Sequence, residues 1–295
     1  MSEQFRLVSF TLDSAREEHP AAAWLASIGA DHAPAEVAAP AGLRAAAWDV
    51  ELEAASLATL RDLLREETGP EHSSILVPPT LRGSRRSLVV TDVDSTLIEQ
   101  EVIEMLAAHA GREAEVAAVT ERAMRGELDF AQSLHHRVKA LAGLPVSLIA
   151  EVAADVVPTP GAVELIAAAH ASGHLVGAVS GGFIQVLEPL ADRLGLDHAH
   201  ANVLGVRDGV LTGTVQGPVV DRAAKAAALR RWCAADDVQP QRTVGLGDGA
   251  NDLDLLTVAG LGVGVQPKPA LRHVADGVLG LRRLDAVSAA LGWGA

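Results

Sequence analysis

The chain has 295 residues, with 24 Lys and Arg against 38 Asp and Glu, for a formal net charge of −14. That length is one large domain or two ordinary ones at roughly 150 residues each, and 49% apolar residues exclude global disorder. The acidic balance argues against nucleic acid or an anionic membrane as the main partner, and the lone Cys233 excludes a disulfide framework and a cysteine zinc site.

The N-terminus lacks a basic stretch followed by a long apolar run, and no segment reaches about 18 uninterrupted apolar residues. Neither a signal peptide nor a membrane helix is expected, and the expected location is cytoplasmic. Along the chain, residues 5–12 read as a strand and 15–28 as an imperfect helix interrupted at Pro20. Residues 44–52 read as a strand, and 57–67 as a helix stopped by Gly69-Pro70. Residues 73–77 are a short apolar run, and 78–83 read as a linker. Residues 1–85 therefore form a small α+β module without a catalytic constellation.

Residues 87–91 make a continuous apolar run, the mark of a parallel strand buried on both faces, and Asp92-Val93-Asp94-Ser95-Thr96 follows at once. From about 99 to 155 the pattern is helical, with Val102, Ile103 and Leu106, then Leu134, Val138 and Leu141, at helical spacing. This reads as a helical insertion, or cap. Strand and helix then alternate. Helix 161–172 precedes strand 175–179, which ends in Ser180-Gly181-Gly182. Helix 183–194 and short strands within 201–214, around Asp208-Gly209, come next. Helix 222–234 leads to strand 243–246, ending in Gly247-Asp248-Gly249-Ala250-Asn251-Asp252. Helix 253–259 and strand 261–265 close the readable pattern. The alternation predicts an α/β fold with a doubly wound parallel sheet over residues 86–295, in which ligands sit beyond the carboxyl ends of the strands.

Four polar features stand at or beside those ends. Asp92 and Asp94 extend from the same side if the chain stays extended. Two carboxylates beside a divalent cation can separate into a nucleophile and a proton donor, although a strand-to-turn cap uses the same pair. Ser180-Gly181 offers a hydroxyl and free amides for phosphate oxygens, or a plain Gly-Gly turn. Lys225 lies in an Ala-rich helix of a chain with only three lysines, Lys139, Lys225 and Lys268. A compact ammonium suits joint contact with phosphate and a carboxylate, and a solvated helix lysine is the plain alternative. The string from Gly247 to Asp252 is the most specific. Its two carboxylates, four residues apart among small residues, suit a hard cation such as Mg2+. Capping a helix explains either aspartate singly and not the whole string.

In this order the four features resemble the haloacid dehalogenase-like phosphatases, whose signature is Asp-x-Asp-x-Thr, a Ser or Thr ending the second strand, a distal Lys, and Gly-Asp-x-x-x-Asp. Within the cap, Glu101, residues 119–130 and Ser133-Leu134-His135-His136-Arg137-Val138 are similar to the phosphoserine phosphatases of that superfamily. The likeness spans about residues 88–281, with no departure at any motif position. It implies Mg2+-dependent hydrolysis of O-phospho-L-serine to L-serine and phosphate, the last step of serine biosynthesis. It makes Asp92 the nucleophile that forms an aspartyl-phosphate, and Asp94 the acid that protonates the leaving oxygen and then activates water.

The same resemblance assigns the metal to Asp92, Asp94 (through its backbone carbonyl), Asp248 and Asp252, the last through bound water. It assigns the phosphoryl oxygens to Ser180, Gly181, Lys225 and Asn251, and the substrate ammonium and carboxylate to Glu101 and Arg137. Met124 and Phe130 resemble its apolar wall. Glu101 with Arg137 also reads as a structural salt bridge in the cap, and His135 and His136 as cap surface. The alternative activity is a related phosphatase or phosphotransferase acting on another small phosphorylated metabolite, such as phosphohomoserine. Longer members of the family carry an ACT-like module. Residues 1–85 are therefore expected to bind an amino-acid effector or a partner chain, with a homodimer left open.

Overall fold

A computed structural model describes residues 2–12, 20–27, 34–124 and 127–294. The N-terminal part contains β1 (Glu3–Leu12), α1 (Pro20–Ser27), β2 (Ala35–Glu36), β3 (Leu43–Leu52), α2 (Ala54–Glu67) and β4 (His72–Val77). β1 is its hub, pairing antiparallel with β3 from Glu3↔Leu52 to Leu12↔Leu43 and with β4 from Arg6↔Val77 to Thr11↔His72. Leu60 and Leu64, one turn apart on α2, are buried in a cluster with Trp48, Val50 and Leu76, which is what an amphipathic helix laid on a sheet achieves. Of the predicted helix 15–28, residues 15–19 and 28 lie outside the described residues. The two-residue strand β2 carries no readable period and was not expected.

After β4 the chain reaches β5 (Leu88–Thr91) and then four cap helices, α3 (Val102–Ala110), α4 (Glu113–Met124), α5 (Phe130–Lys139) and α6 (Ser147–Asp155). The core resumes with α7 (Ala162–Ala171), β6 (Leu175–Phe183), α8 (Ile184–Leu194), β7 (His198–Arg207), β8 (Val210–Gln216) and α9 (Arg222–Ala235). It closes with β9 (Thr243–Gly247), α10 (Leu253–Val258), β10 (Leu261–Val265), α11 (Pro269–Arg272), β11 (Gly277–Leu279) and α12 (Asp285–Leu291). The hairpin turn between β7 and β8 falls on Asp208 and Gly209, whose φ values of 51° and 77° suit the right-handed twist of the two strands.

All eleven strands join one sheet in the order β2-β3-β1-β4-β11-β10-β9-β5-β6-β7-β8. Its middle, from β11 to β7, is parallel, and β5 lies between β9 and β6 with Thr91 level with Leu246 and Ala178. The N-terminal strands do not form a sheet of their own. β4 pairs antiparallel with β11 at Gly277↔Ile75, Val278↔Ser74 and Leu279↔Ser73, so the module extends the core sheet.

The cap hangs on two linkers that pair with each other. Glu99 N donates to Val157 O at 3.0 Å and Thr159 N to Leu97 O at 2.9 Å. α5 begins with a capping box: Asp129 accepts from Gln132 N at 2.8 Å, and the Gln132 side chain accepts from Asp129 N at 3.1 Å. Its buried Leu134 and Val138 face the core while His135 and His136 are exposed. Among the described residues no helix is long and apolar enough to cross a membrane.

Candidate active site

The parallel register brings the carboxyl ends of β9, β5 and β6 side by side, and each end delivers polar groups. Asp92 follows β5 and is 3% exposed; its Oδ1 lies 2.7 Å from Lys225 Nζ and accepts from Val93 N at 2.7 Å. Its Oδ2 has a single long contact, from Asn251 Nδ2 at 3.3 Å. Beyond Asp92 the chain makes a wide turn over residues 93–97, closed by Ile98 N donating to Val93 O at 3.0 Å. Ser95 sits in this turn at φ 56°, ψ 4°, a left-handed conformation that is uncommon for a residue with a Cβ. The turn swings Asp94 around, so that its Oδ1 accepts from Val102 N at 2.9 Å and its Oδ2 accepts from Ser180 Oγ at 3.3 Å.

Burial, with the charges of Glu101 and Asp92 adding to it, raises the Asp94 carboxyl to about 7. Two carboxylates two residues apart thus have different surroundings, Asp92 being held by an ammonium and Asp94 inclined by burial to keep its proton. Glu101 accepts from Ser95 Oγ at 2.8 Å and is also raised by burial, which that hydroxyl partly offsets.

Lys225 is fully buried, and α9 aims its ammonium between Asp92 Oδ1 at 2.7 Å and Asp252 Oδ1 at 2.6 Å. Burial opposes its charge, but the two carboxylates outweigh that and hold it firmly protonated. Asp252 also accepts from Asp248 N and Gly249 N, both at 3.2 Å, which folds the Gly247–Asp252 string into a tight turn. Asp248 has one oxygen 2.9 Å from Lys268 Nζ. Ligand oxygens of Asp92, Asp248 and Asp252 lie within 4.8 Å of one another, all three residues being buried. A buried all-oxygen donor set of this charge fits a hard divalent cation rather than a soft one. The Asp94 carboxylate is not one of the three.

A cavity of about 500 Å3 opens over these strand ends, its floor including Asp92, Asp94, Gly181, Asp248 and Asn251 and its cap side including Glu101, Phe130 and Arg137. Phe130 lies so close over Gly181 that a Cβ there would stand 2.8 Å from its Cζ, so glycine is what lets the ring settle on the strand end. Arg137 is half-buried, its Nε has no hydrogen-bond partner, and among the described residues it has no ion-pair partner. The expected alternative of a Glu101–Arg137 salt bridge is thus not formed: Glu101 is bonded to Ser95 and Arg137 is left with donors to spare. Burial draws Arg137 down, against the charges of Glu101 and Asp94.

Of the residues singled out from the sequence, Ser180, Lys225 and Asp252 stand behind the cavity wall rather than in it. The side chain of Met124 lies outside the described residues. Sequence reasoning missed Lys268, which lines the cavity with its side chain 58% exposed. Its amide also donates to Asp248 O at 2.8 Å. Burial of its stem opposes its charge, and Asp248 more than restores it. The signal was present: Lys268 is one of only three lysines, the same rarity that points to Lys225.

Residues 89–257 match the family model described as haloacid dehalogenase-like hydrolase. The chain belongs to the haloacid dehalogenase-like hydrolases. It is 54% identical over 217 residues to the phosphoserine phosphatase of Streptomyces coelicolor, covering 74% of this chain and 53% of that protein. It is 46% identical over 187 residues to the phosphoserine phosphatase of Streptococcus thermophilus, covering 63% of this chain and 87% of that one. A crystal structure of a probable phosphoserine phosphatase from Vibrio cholerae superposes with a TM-score of 0.75 at 33% identity, covering 97% of this chain and 86% of that one. The chain spans about half the length of the Streptomyces coelicolor relative.

Proposed function

We propose that the chain hydrolyses O-phospho-L-serine to L-serine and phosphate with Mg2+ bound at the acidic cluster, as a cytoplasmic enzyme of serine biosynthesis. The observation that carries this reading is the cavity itself. It joins a nucleophile and acid pair to cap carboxylates, Glu101 among them, and to the Arg137 guanidinium, which has no ion-pair partner among the described residues; these complement the ammonium and carboxylate of a zwitterionic phosphoester.

Asp92 Oδ2, free of strong contacts, attacks phosphorus while Lys225 and Val93 N hold Oδ1 in place. Asp94, protonated near neutral pH, gives its proton to the departing serine oxygen. The resulting aspartyl-phosphate is then opened by a water from which Asp94, now ionised, removes a proton, so one difficult displacement becomes two easier ones. Asn251, Gly181 and Lys268 line the cavity where the phosphoryl oxygens lie. Asp92, Asp248 and Asp252 would hold the cation, which supplies charge neutralisation for the incoming phosphate.

The test is a panel of initial rates in Mg2+ and in excess chelator, using phosphoserine, phosphohomoserine, phosphoethanolamine and glycerol phosphate. Phosphoserine should be fastest, and chelator should stop its turnover. Phosphoethanolamine, which lacks the carboxylate, turning over as well as phosphoserine would overturn the substrate assignment. Asp92→Asn should abolish phosphoenzyme formation, and a variant of normal activity would remove the nucleophile.

A further inference from the structure

The short segment between β11 and α12 touches both linkers of the cap. Arg282 Nη2 donates to the main-chain carbonyls of Ser95 at 3.1 Å and Ile98 at 3.2 Å, with Glu99 O at 3.5 Å. Two residues on, Leu284 N donates to Pro160 O at 2.9 Å. Gly161, at φ 83°, lies so close to Asp285 that no side chain would fit between them. The outgoing linker is therefore held by Arg282 and the returning one by Leu284 and Asp285.

What Arg282 holds is the wide turn that aims the acid. The Ser95 carbonyl belongs to the left-handed residue of that turn, whose hydroxyl holds Glu101 at 2.8 Å. Asp94 is fixed on Val102 N at the far end of the same linker. A turn without regular helical bonds leaves carbonyls unsatisfied, and a guanidinium with several fixed donors suits more than one of them at once.

The same segment is tied to the N-terminal module. β11 pairs with β4 at Leu279↔Ser73, Leu281 N donates to Ser73 Oγ at 3.1 Å, and Arg283 Nη1 donates to Ala41 O at 3.1 Å. A continuous hydrogen-bonded path thus runs from β4 through residues 279–282 to the turn carrying Asp94 and Glu101.

We propose that Arg282 is a positioning residue that sets the cap hinge, and through it Asp94 and Glu101, in a register imposed by the N-terminal module at Ser73. The module then acts on the reaction through this arginine and needs no contact with the cavity.

The experiment compares Arg282→Gln, Arg282→Lys, Ser73→Ala and the double variant Arg282→Gln with Ser73→Ala in the full chain. Two substrates are used, phosphoserine and p-nitrophenyl phosphate. The aryl ester has a good leaving group and no ammonium, so its kcat/KM, which ends at phosphoenzyme formation, depends little on the acid role of Asp94 or on Glu101. Arg282→Gln should lose about 10- to 100-fold in kcat/KM on phosphoserine, the scale of a small misplacement of reacting groups, and under about 3-fold on the aryl ester. Lys at 282 should restore part of that loss. Ser73→Ala should cost about 2- to 5-fold alone and nothing further once Arg282 is replaced, because the two act in series.

Hydrogen exchange gives a readout independent of substrate. The Ser95, Ile98 and Val102 amides should exchange faster in Arg282→Gln, with β5 unchanged. The kinetic arm rests on phosphoserine being the substrate and the exchange arm does not, so failure of either reading is distinguishable. Equal losses on both substrates, unchanged exchange at Val102, or a full Ser73→Ala penalty in the double variant would overturn the proposal.

Discussion

Replacing Lys225 by Met separates its role in holding the site together from any role in binding. The substitution keeps most of the apolar stem and removes the ammonium between two carboxylates that are 3% and 0% exposed, at 2.7 Å from Asp92 and 2.6 Å from Asp252. Stripping one partner from a buried ion pair costs about 3–5 kcal/mol, because the remaining charge is left in a poor solvent. Both orphans keep some donors here: Asp92 retains Val93 N, and Asp252 retains the amides of Asp248 and Gly249. That places the loss near the lower end, about 3 kcal/mol, or about 6 °C in Tm at roughly 2 °C per kcal/mol for a chain of this size.

The deficit has a pH signature. Burial already raises Asp252 against the pull of Lys225, so in the variant its carboxyl binds a proton still more tightly folded than unfolded. Stability is therefore fully present below the unfolded carboxylate pKa and is lost as pH rises through the raised folded value. Metal-free thermal melts of both proteins at mildly acidic and mildly alkaline pH test this. The gap should be wide in alkali and narrow in acid, and Mg2+ should raise the variant's Tm more than that of the parent. A gap under about 2 °C in alkali, or one of constant size across pH, would refute the idea that Lys225 offsets two buried charges.

Three further outcomes are expected. Asp94→Asn should stabilise the metal-free protein, the gain appearing as pH rises above the unfolded carboxylate value and levelling off past about 7, where native Asp94 has lost its proton; thermal melts across pH report it. Arg137→Ala should cut kcat/KM on phosphoserine by about 10- to 100-fold, the worth of hydrogen bonds to a charged group, while barely changing use of an aryl phosphate. Lys268→Met should raise KM for phosphoserine by about 3- to 10-fold at low ionic strength and less at high ionic strength, since its half-exposed charge is screened; steady-state kinetics in two salt concentrations check it.

The core sheet and its catalytic ends are legible because strands buried on both faces leave unbroken apolar runs, as in Leu88–Thr91 and Leu261–Val265. The cap is legible for the complementary reason, a helical period between two such strands. What the sequence hides is long-range pairing. β11 is three residues long and begins with Gly277, and nothing near it announces that it will hydrogen-bond to β4, some 200 residues earlier. Without that pairing residues 1–85 read as a separate module, and with it the strands β1 to β4 continue the core sheet. Arg282 was invisible for the same reason, since its partners are main-chain carbonyls, which every residue possesses. Lys268 was legible in principle, but it follows a strand at a turn rather than sitting conspicuously in a helix, and its partner Asp248 lies 20 positions away.

Lys268 enters the charge balance that the cation must complete. Asp92, Asp94, Glu101, Glu104, Asp248 and Asp252 face Lys225, Arg137 and Lys268, which leaves three net negative charges where a phosphate dianion must arrive. One divalent cation brings that sum to a single negative charge, and the proton that burial retains on Asp94 carries it to zero. The pocket stops repelling phosphate only when the cation is bound and Asp94 is protonated together. Those are the two conditions the first displacement requires, since the same proton must leave with the serine oxygen. In the second step the proton returns to Asp94 from the water that opens the aspartyl-phosphate, so the charge state needed for the next substrate is restored within each turnover.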